Sequence, residues 1–229
     1  MARKLRLEYE GACYHVLNRG NYRSDIFSDQ GAKHSFLECL DEAATKTGWI
    51  VHAWCLMSNH YHLAIETPKS NLVDGMRWLQ VTFAVRFNRF RKENGHVFQG
   101  RYKSLIIDPN DSLGPLCHYI HLNPVRAQVI ASDAVADDPW NSLYWLVHPR
   151  YRKAWYSPLE CLGHAGGLAD TVTGRKGYIR YLAWLAENEP ERKKQLFGRM
   201  SKGWVVGTRS FKSALKAEHQ NLAAAMERG

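Results

Sequence analysis

Two β-prone runs, WIVHAWCLM at residues 49–57 and HYHLAIET at 60–67, stand only Ser58 and Asn59 apart. A chain written that way reads as an antiparallel hairpin closed by a tight turn. The elements around the hairpin decide what kind of layer it joins. Residues 12–18, ACYHVLN, form a short β-prone run ending in the polar loop RGNYRSD. Residues 29–47 then carry Phe36, Leu37, Leu40, Ala43 and Ala44 at helical spacing, and Gly48 is placed to close that helix because glycine accepts the left-handed conformation. After the hairpin, Leu72, Met76, Leu79, Phe83, Phe87 and Phe90 recur at threes and fours and predict a helix over about 72–92. Residues 97–108, VFQGRYKSLIID, read as a further strand with Arg101 and Lys103 on one face. Pro109, Asn110, Asp111 and Ser112 then supply helix-start chemistry for LGPLCHYIHLN, which Pro124 interrupts. The order β-α-β-β-α-β-α predicts an α+β fold, a ferredoxin-like antiparallel sheet with helices packed on one face.

Past residue 130 the pattern changes. DDPWNSLYWLVHPRYRKAWYSP is rich in aromatic and basic residues with weak periodicity, and helical candidates follow near 175–188 and 209–227. The expected organisation is a first domain at 1–130 and a mainly helical C-terminal extension at 131–229 that packs on its layer. It could either contact the ligand or shield the functional site; its tryptophans and tyrosines need a surface to bury, which favours shielding. The chain carries 31 Lys+Arg against 22 Asp+Glu, a formal charge of +9. That excess favours a polyanionic partner modestly, since cations that neutralise phosphates release condensed counterions. Five cysteines, an odd number with no CxxC pair, argue against a disulfide framework or a cysteine zinc site and for a reducing compartment. With no apolar leader and no membrane-spanning stretch, a cytoplasmic protein is expected.

The sharpest local feature is His60-Tyr61-His62. Residues two apart on a strand project from the same face, so both imidazoles point together, a geometry suited to chelating one metal ion. Alone, such a pair is weak evidence in a chain with eleven histidines. A second feature is Tyr119 in CHYIHLNP, with Asn123 one helical turn later on the same face. A tyrosine hydroxyl is a poor nucleophile at neutral pH and needs an aligned phosphate whose charge a cation stabilises. Asn123 can offer that cation a neutral oxygen. On spacing alone, Tyr119 reads equally as a core aromatic, and Asn123-Pro124 as an ordinary helix start. His118 and His121 point elsewhere on the helix, toward DNA or solvent.

Taken in order, YHVLNRGNYRSDIF, SNHYHLAIETP, VFQGRYKSLIID and HYIHLNPVRA resemble the motifs of the REP-associated tyrosine transposases, relatives of the HUH insertion-sequence transposases. The resemblance spans roughly residues 9–145. It implies a ferredoxin-like HUH domain that cleaves single-stranded DNA beside palindromic hairpins through a 5′-phosphotyrosine. It makes His60 and His62 the metal ligands, Tyr119 the nucleophile and Asn123 the polar residue completing a Mg²⁺ or Mn²⁺ site, although related transposases carry glutamine where Asn123 stands. Arg19, Asn21, Arg23, Arg101 and Lys103 are the candidates for DNA contact. Whether such a chain works as a monomer or a homodimer is left open by the sequence. Two rivals compete. One is a non-catalytic nucleic-acid-binding module stacking bases on Tyr61 and Tyr102. The other is a metal nuclease that activates water, with Glu66 as its base.

Overall fold

A computed structural model describes residues 7–188 and 197–226. Four strands, β1 (Ala12–Arg19), β2 (Ile50–Leu56), β3 (His60–Thr67) and β4 (Lys103–Ile107), form an antiparallel core. A two-residue strand β5 (Val205–Val206) adds parallel to β4, giving the order β2-β3-β1-β4-β5. The expected hairpin is present: Met57 N–H bonds His60 C=O at 2.9 Å across Ser58-Asn59. His52 bulges out of the β2–β3 register, between Val51 and Ala53.

The helices α1 (Gln30–Thr47) and α2 (Leu72–Arg91) are the crossovers and pack on one face. Phe36, Leu40, Met76, Leu79 and Phe83 meet Tyr14, Val16, Tyr61, Leu63 and Ile65 there, all buried. Asp29 caps α1 by accepting the Ala32 N–H at 2.7 Å, and Gly48 ends it at φ 72°. The stripe on α2 is the one expected except at its end, where Phe90 is exposed. Gly75 faces the Trp49 ring so closely that a methyl there would lie 2.1 Å from Cζ2.

The opposite face is also covered. The helix α3 (Leu113–His121) lies directly on it and is buried nearly all round, as an apolar helix inside a protein must be. Pro124 has no N–H to continue the ladder, and the chain re-forms as α4 (Asn123–Arg126) beyond Leu122. Further helices α5 (Ser142–Val147), α6 (Leu159–Gly163) and α7 (Val172–Glu187) add Leu143, Leu146, Cys161, Tyr178 and Leu182 to the same core as Ala64, Leu105 and Ile120. A last helix, α8 (Arg209–Met226), follows β5; residue 227, expected to end it, lies outside the described residues. The C-terminal region is thus helical and packed on the sheet. Among the described residues no helix is long and apolar enough to cross a membrane, and all five cysteines are buried free thiols.

Two local expectations are corrected. The strand expected at 97–108 is shorter: residues 97–102 turn instead, with Gly100 at φ 155° and only an isolated Gly20–Phe98 bridge. Arg101 therefore sits on a turn and does not share a strand face with Lys103. At the start of α3, Ser112 occupies the cap position but makes no side-chain cap bond. Asp108 holds this corner instead, accepting from Asn110 N–H at 3.2 Å and from the Thr208 hydroxyl at 2.9 Å.

Candidate active site

Alternation along β3 sends Tyr61, Leu63 and Ile65 into the α1–α2 core and leaves His60 and His62 on the α3 side. The two rings stand 5.0 Å apart, centroid to centroid, and nearly perpendicular at 82°. Their surroundings withhold charge from both. Burial holds His60 down to about 4, helped by the positive Arg19, which is its partner in the β1–β3 register. His62 is pushed well below its usual range by burial first and by His15 and His60 next. Neutral imidazoles carry free nitrogen lone pairs, the form a metal ion requires.

Tyr119 packs against His62 and His15 from α3. It is 9% exposed, its ring centroid lies 5.8 Å from that of His62, and the Arg126 guanidinium lies 5.9 Å from its centre. One helical turn on, Asn123 Nδ2 stands 3.4 Å from His62 Nε2. Turning that amide over presents Oδ1 in the same place, so an amide oxygen from α4 can meet the His62 imidazole of β3. His60 Nδ1 is engaged by its neighbour Asn59 Oδ1 at 2.7 Å, which leaves Nε2 as the ring nitrogen without that bond. Among the described residues no group of three or more His, Cys, Asp or Glu side chains is gathered to hold a metal. His60, His62 and Asn123 are the side chains here that could hold one, a sparse set of two imidazoles and an amide that phosphate and water would have to complete.

A residue without an assigned role in the sequence joins the site. His15 on β1 lies diagonally across from His62 on the same face. Its Nε2 is 2.9 Å from His62 Nδ1, and its Nδ1 is 2.6 Å from the carbonyl oxygen of Met200. Phe197 packs on Tyr119 at 5.7 Å, and the Lys103 ammonium donates to the Ser201 carbonyl. The chain at 197–201 thus lies against the site. His15 lies within the YHVLNRG run of β1, but it is the pairing of β1 with β3 that brings it to His62.

The remaining candidates divide. Arg19, Arg23 and Arg101 are exposed and Asn21 half-exposed. They cluster because Gln99 N–H bonds Arg19 C=O at 2.9 Å and Asn21 N–H bonds Val97 C=O at 2.8 Å. This rim lies at the His60 end of the sheet, with Tyr22, 93% exposed and at φ 52°, at its tip. His118 and His121 do not reach DNA or solvent. Both are buried, and each places Nδ1 on the Tyr178 hydroxyl, at 2.9 and 2.8 Å. Tyr61 is 0% exposed and Tyr102 is buried, so neither presents a stacking face. Glu66 lies four residues along β3 from His62 and is taken up by His52 at 3.0 Å, a hydrogen bond that holds its carboxyl below the usual range.

Comparison with known proteins follows the same lines. No curated protein matches this chain. A solved structure of a REP-associated tyrosine transposase bound to a REP hairpin superposes with a TM-score of 0.54 at 17% identity, covering 69% of this chain and 92% of that one. A protein of Deinococcus radiodurans R1 assigned to the transposases aligns with a TM-score of 0.37 at 21% identity, over 56% of this chain and 92% of the other. The family described as "Transposase IS200 like" matches residues 8–123, from four residues before β1 to Asn123. The chain belongs to the IS200-like transposase family.

Proposed function

We propose that this chain is a metal-dependent enzyme that nicks and rejoins single-stranded DNA through Tyr119, beside palindromic hairpins. The observation that carries the reading is the convergence of Tyr119 and Asn123, one turn apart across the α3–α4 break, on His62, the buried member of the His60–His62 pair. His60, His62 and Asn123 are the residues that would hold the divalent ion, Mg²⁺ or Mn²⁺. When bound, such an ion supplies positive charge to the non-bridging oxygens of the scissile phosphate.

The chain's own groups do the rest. Tyr119 Oη attacks phosphorus in line with the departing 3′-oxygen, giving up its proton as the new bond forms. The 3′-oxygen takes up a proton as it leaves, so the products are a 5′-phosphotyrosine and a free 3′-hydroxyl. Because the phosphodiester is exchanged and not hydrolysed, a second 3′-hydroxyl can attack the phosphotyrosine and rejoin strands without ATP. Arg126 adds positive charge beside the phenol. Arg19, Asn21, Arg23 and Arg101 form a basic rim suited to the DNA backbone, with Lys103 on the neighbouring strand. In this reading residues 1–130 are the catalytic domain and 131–229 an extension that covers its α3 face. Hairpin DNA is the substrate of choice because the solved protein sharing this fold holds a REP hairpin.

The test is a denaturing gel of the protein with labelled hairpin-bearing single strands and Mn²⁺. A protein–DNA band is expected with the parent chain and lost in Tyr119→Phe and in EDTA. Cleavage that survives Tyr119→Phe would instead identify activated water as the nucleophile, although Glu66, tied to His52, is poorly placed to serve as its base.

A further inference from the structure

His62 offers a metal only one useful atom, a bare Nε2, and something must keep the ring's hydrogen on the other nitrogen. In water a neutral histidine favours the opposite arrangement, with its hydrogen on Nε2. Three contacts settle the matter in sequence. A peptide carbonyl only accepts hydrogen bonds, so the Met200 oxygen, 2.6 Å away, places a hydrogen on His15 Nδ1. His15 is 0% exposed and its ring nitrogens face a carbonyl and another imidazole. In that setting it stays neutral with one hydrogen, and its Nε2 is an acceptor. His62 Nδ1, 2.9 Å from that acceptor, must then donate. The single hydrogen of His62 is thereby spent, and its Nε2 is left bare toward the Asn123 amide.

We propose that His15 is a positioning residue of the metal site: it accepts the Nδ1 hydrogen of His62 and so locks that imidazole in its metal-binding tautomer, with the Met200 carbonyl setting the direction of the relay. The proposal rests on the reading of His62 as a metal ligand. It assigns the C-terminal chain a part in the site beyond covering it, since the group that orients the relay lies 185 residues from His15. Ligating histidines are commonly held this way by a carbonyl or carboxylate on their second nitrogen; here an imidazole is interposed between ligand and carbonyl. The two ring planes lie within 25° of each other with centroids 5.1 Å apart, the edge-to-edge arrangement that an in-plane bond between donor and acceptor requires.

The first experiment needs no variant. Long-range ¹H–¹⁵N correlation spectra of the full-length, metal-free protein at neutral pH report which nitrogen of each ring carries hydrogen. His15 and His62 are both expected in the Nδ1–H form, and an Nε2–H form of His62 overturns the proposal. The second is Mn²⁺ affinity by calorimetry. His15→Leu should weaken it about 10–100-fold and move the hydrogen of His62 to Nε2, with far-UV circular dichroism confirming the fold. His15→Gln, whose amide oxygen can accept from His62, should recover most of the loss. Mn²⁺ binding unchanged in His15→Leu but lost in His62→Ala would overturn the relay alone. Binding unchanged in His62→Ala would overturn the site reading beneath it.

Discussion

At the scale of single residues, neighbours in sequence do unrelated work. Tyr119 faces His62, whereas His118 and His121 on either side of it turn inward to one hydroxyl, that of Tyr178. The chain of contacts goes on: His121 Nε2 lies 2.9 Å from Ser142 Oγ, which accepts the Trp54 N–H at 2.9 Å. Polar groups buried this deeply are costly to leave unmatched. Tyr178→Phe is therefore expected to lower stability by about 1–3 kcal/mol, read from urea unfolding, while folded protein still forms the Tyr119 adduct at the parental rate. Unchanged stability would show the hydroxyl to be dispensable, and loss of the adduct in a folded variant would draw the network into catalysis.

At the scale of elements, two junctions hold the layers in place. In the first, α2 can approach the sheet only because position 75 lacks a side chain. Trp49 fills the space and donates its indole N–H to Asn71 at 2.9 Å. Gly75→Ala should cost about 1–3 kcal/mol through overpacking, visible as a lowered melting temperature. A gain in stability, as an alanine normally brings to a helix, would mean that Trp49 yields freely. The second junction is Asp170, which pairs with Arg152 and with Arg175 at 2.8 Å, while Arg152 also caps carbonyls at the end of α5. The hydrogen bonds from Arg152, then those from Arg175, hold the Asp170 carboxyl below its ordinary 3.8. A depressed carboxyl stabilises the fold above its unfolded value and loses that contribution as pH falls through the folded one. Asp170→Asn should thus destabilise by about 2 kcal/mol at pH 7 and progressively less below about pH 4; a penalty independent of pH would contradict this. The same scale shows what was legible beforehand. The hairpin, the α2 stripe and the Gly48 stop rest on periodicity and turn chemistry, which are local. So does the i, i+4 spacing that sets Tyr119 and Asn123 both beside His62. The shortened β4, the two-residue β5 and the His15–His62–Met200 relay depend on which strands become neighbours, and short-range pattern does not carry that information.

At the scale of the whole molecule, the formal charge of +9 matters less than where it is placed. The β1 end and the 97–101 turn are hydrogen-bonded into one rim, so Arg19, Arg23 and Arg101 surround the His60 end of the sheet while the carboxylates of Asp170 and Glu66 are already paired elsewhere. Lys103 differs from the three arginines, because its ammonium is bound to the Ser201 carbonyl. If the rim tracks a DNA backbone, affinity must fall with salt in proportion to the phosphates neutralised, by about 0.7 log units per log unit of salt for each single-strand contact and about 0.9 for duplex. Hairpin binding followed by fluorescence anisotropy across salt concentrations should therefore show a slope that drops by about 0.7–0.9 in each of Arg19→Ala, Arg23→Ala and Arg101→Ala. Lys103→Ala should leave the slope nearly unchanged. Equal losses in all four would mean that DNA displaces Ser201 from Lys103 and that the C-terminal chain moves on binding. No loss in any would place the DNA path away from this rim, and with it the direction from which a strand approaches Tyr119.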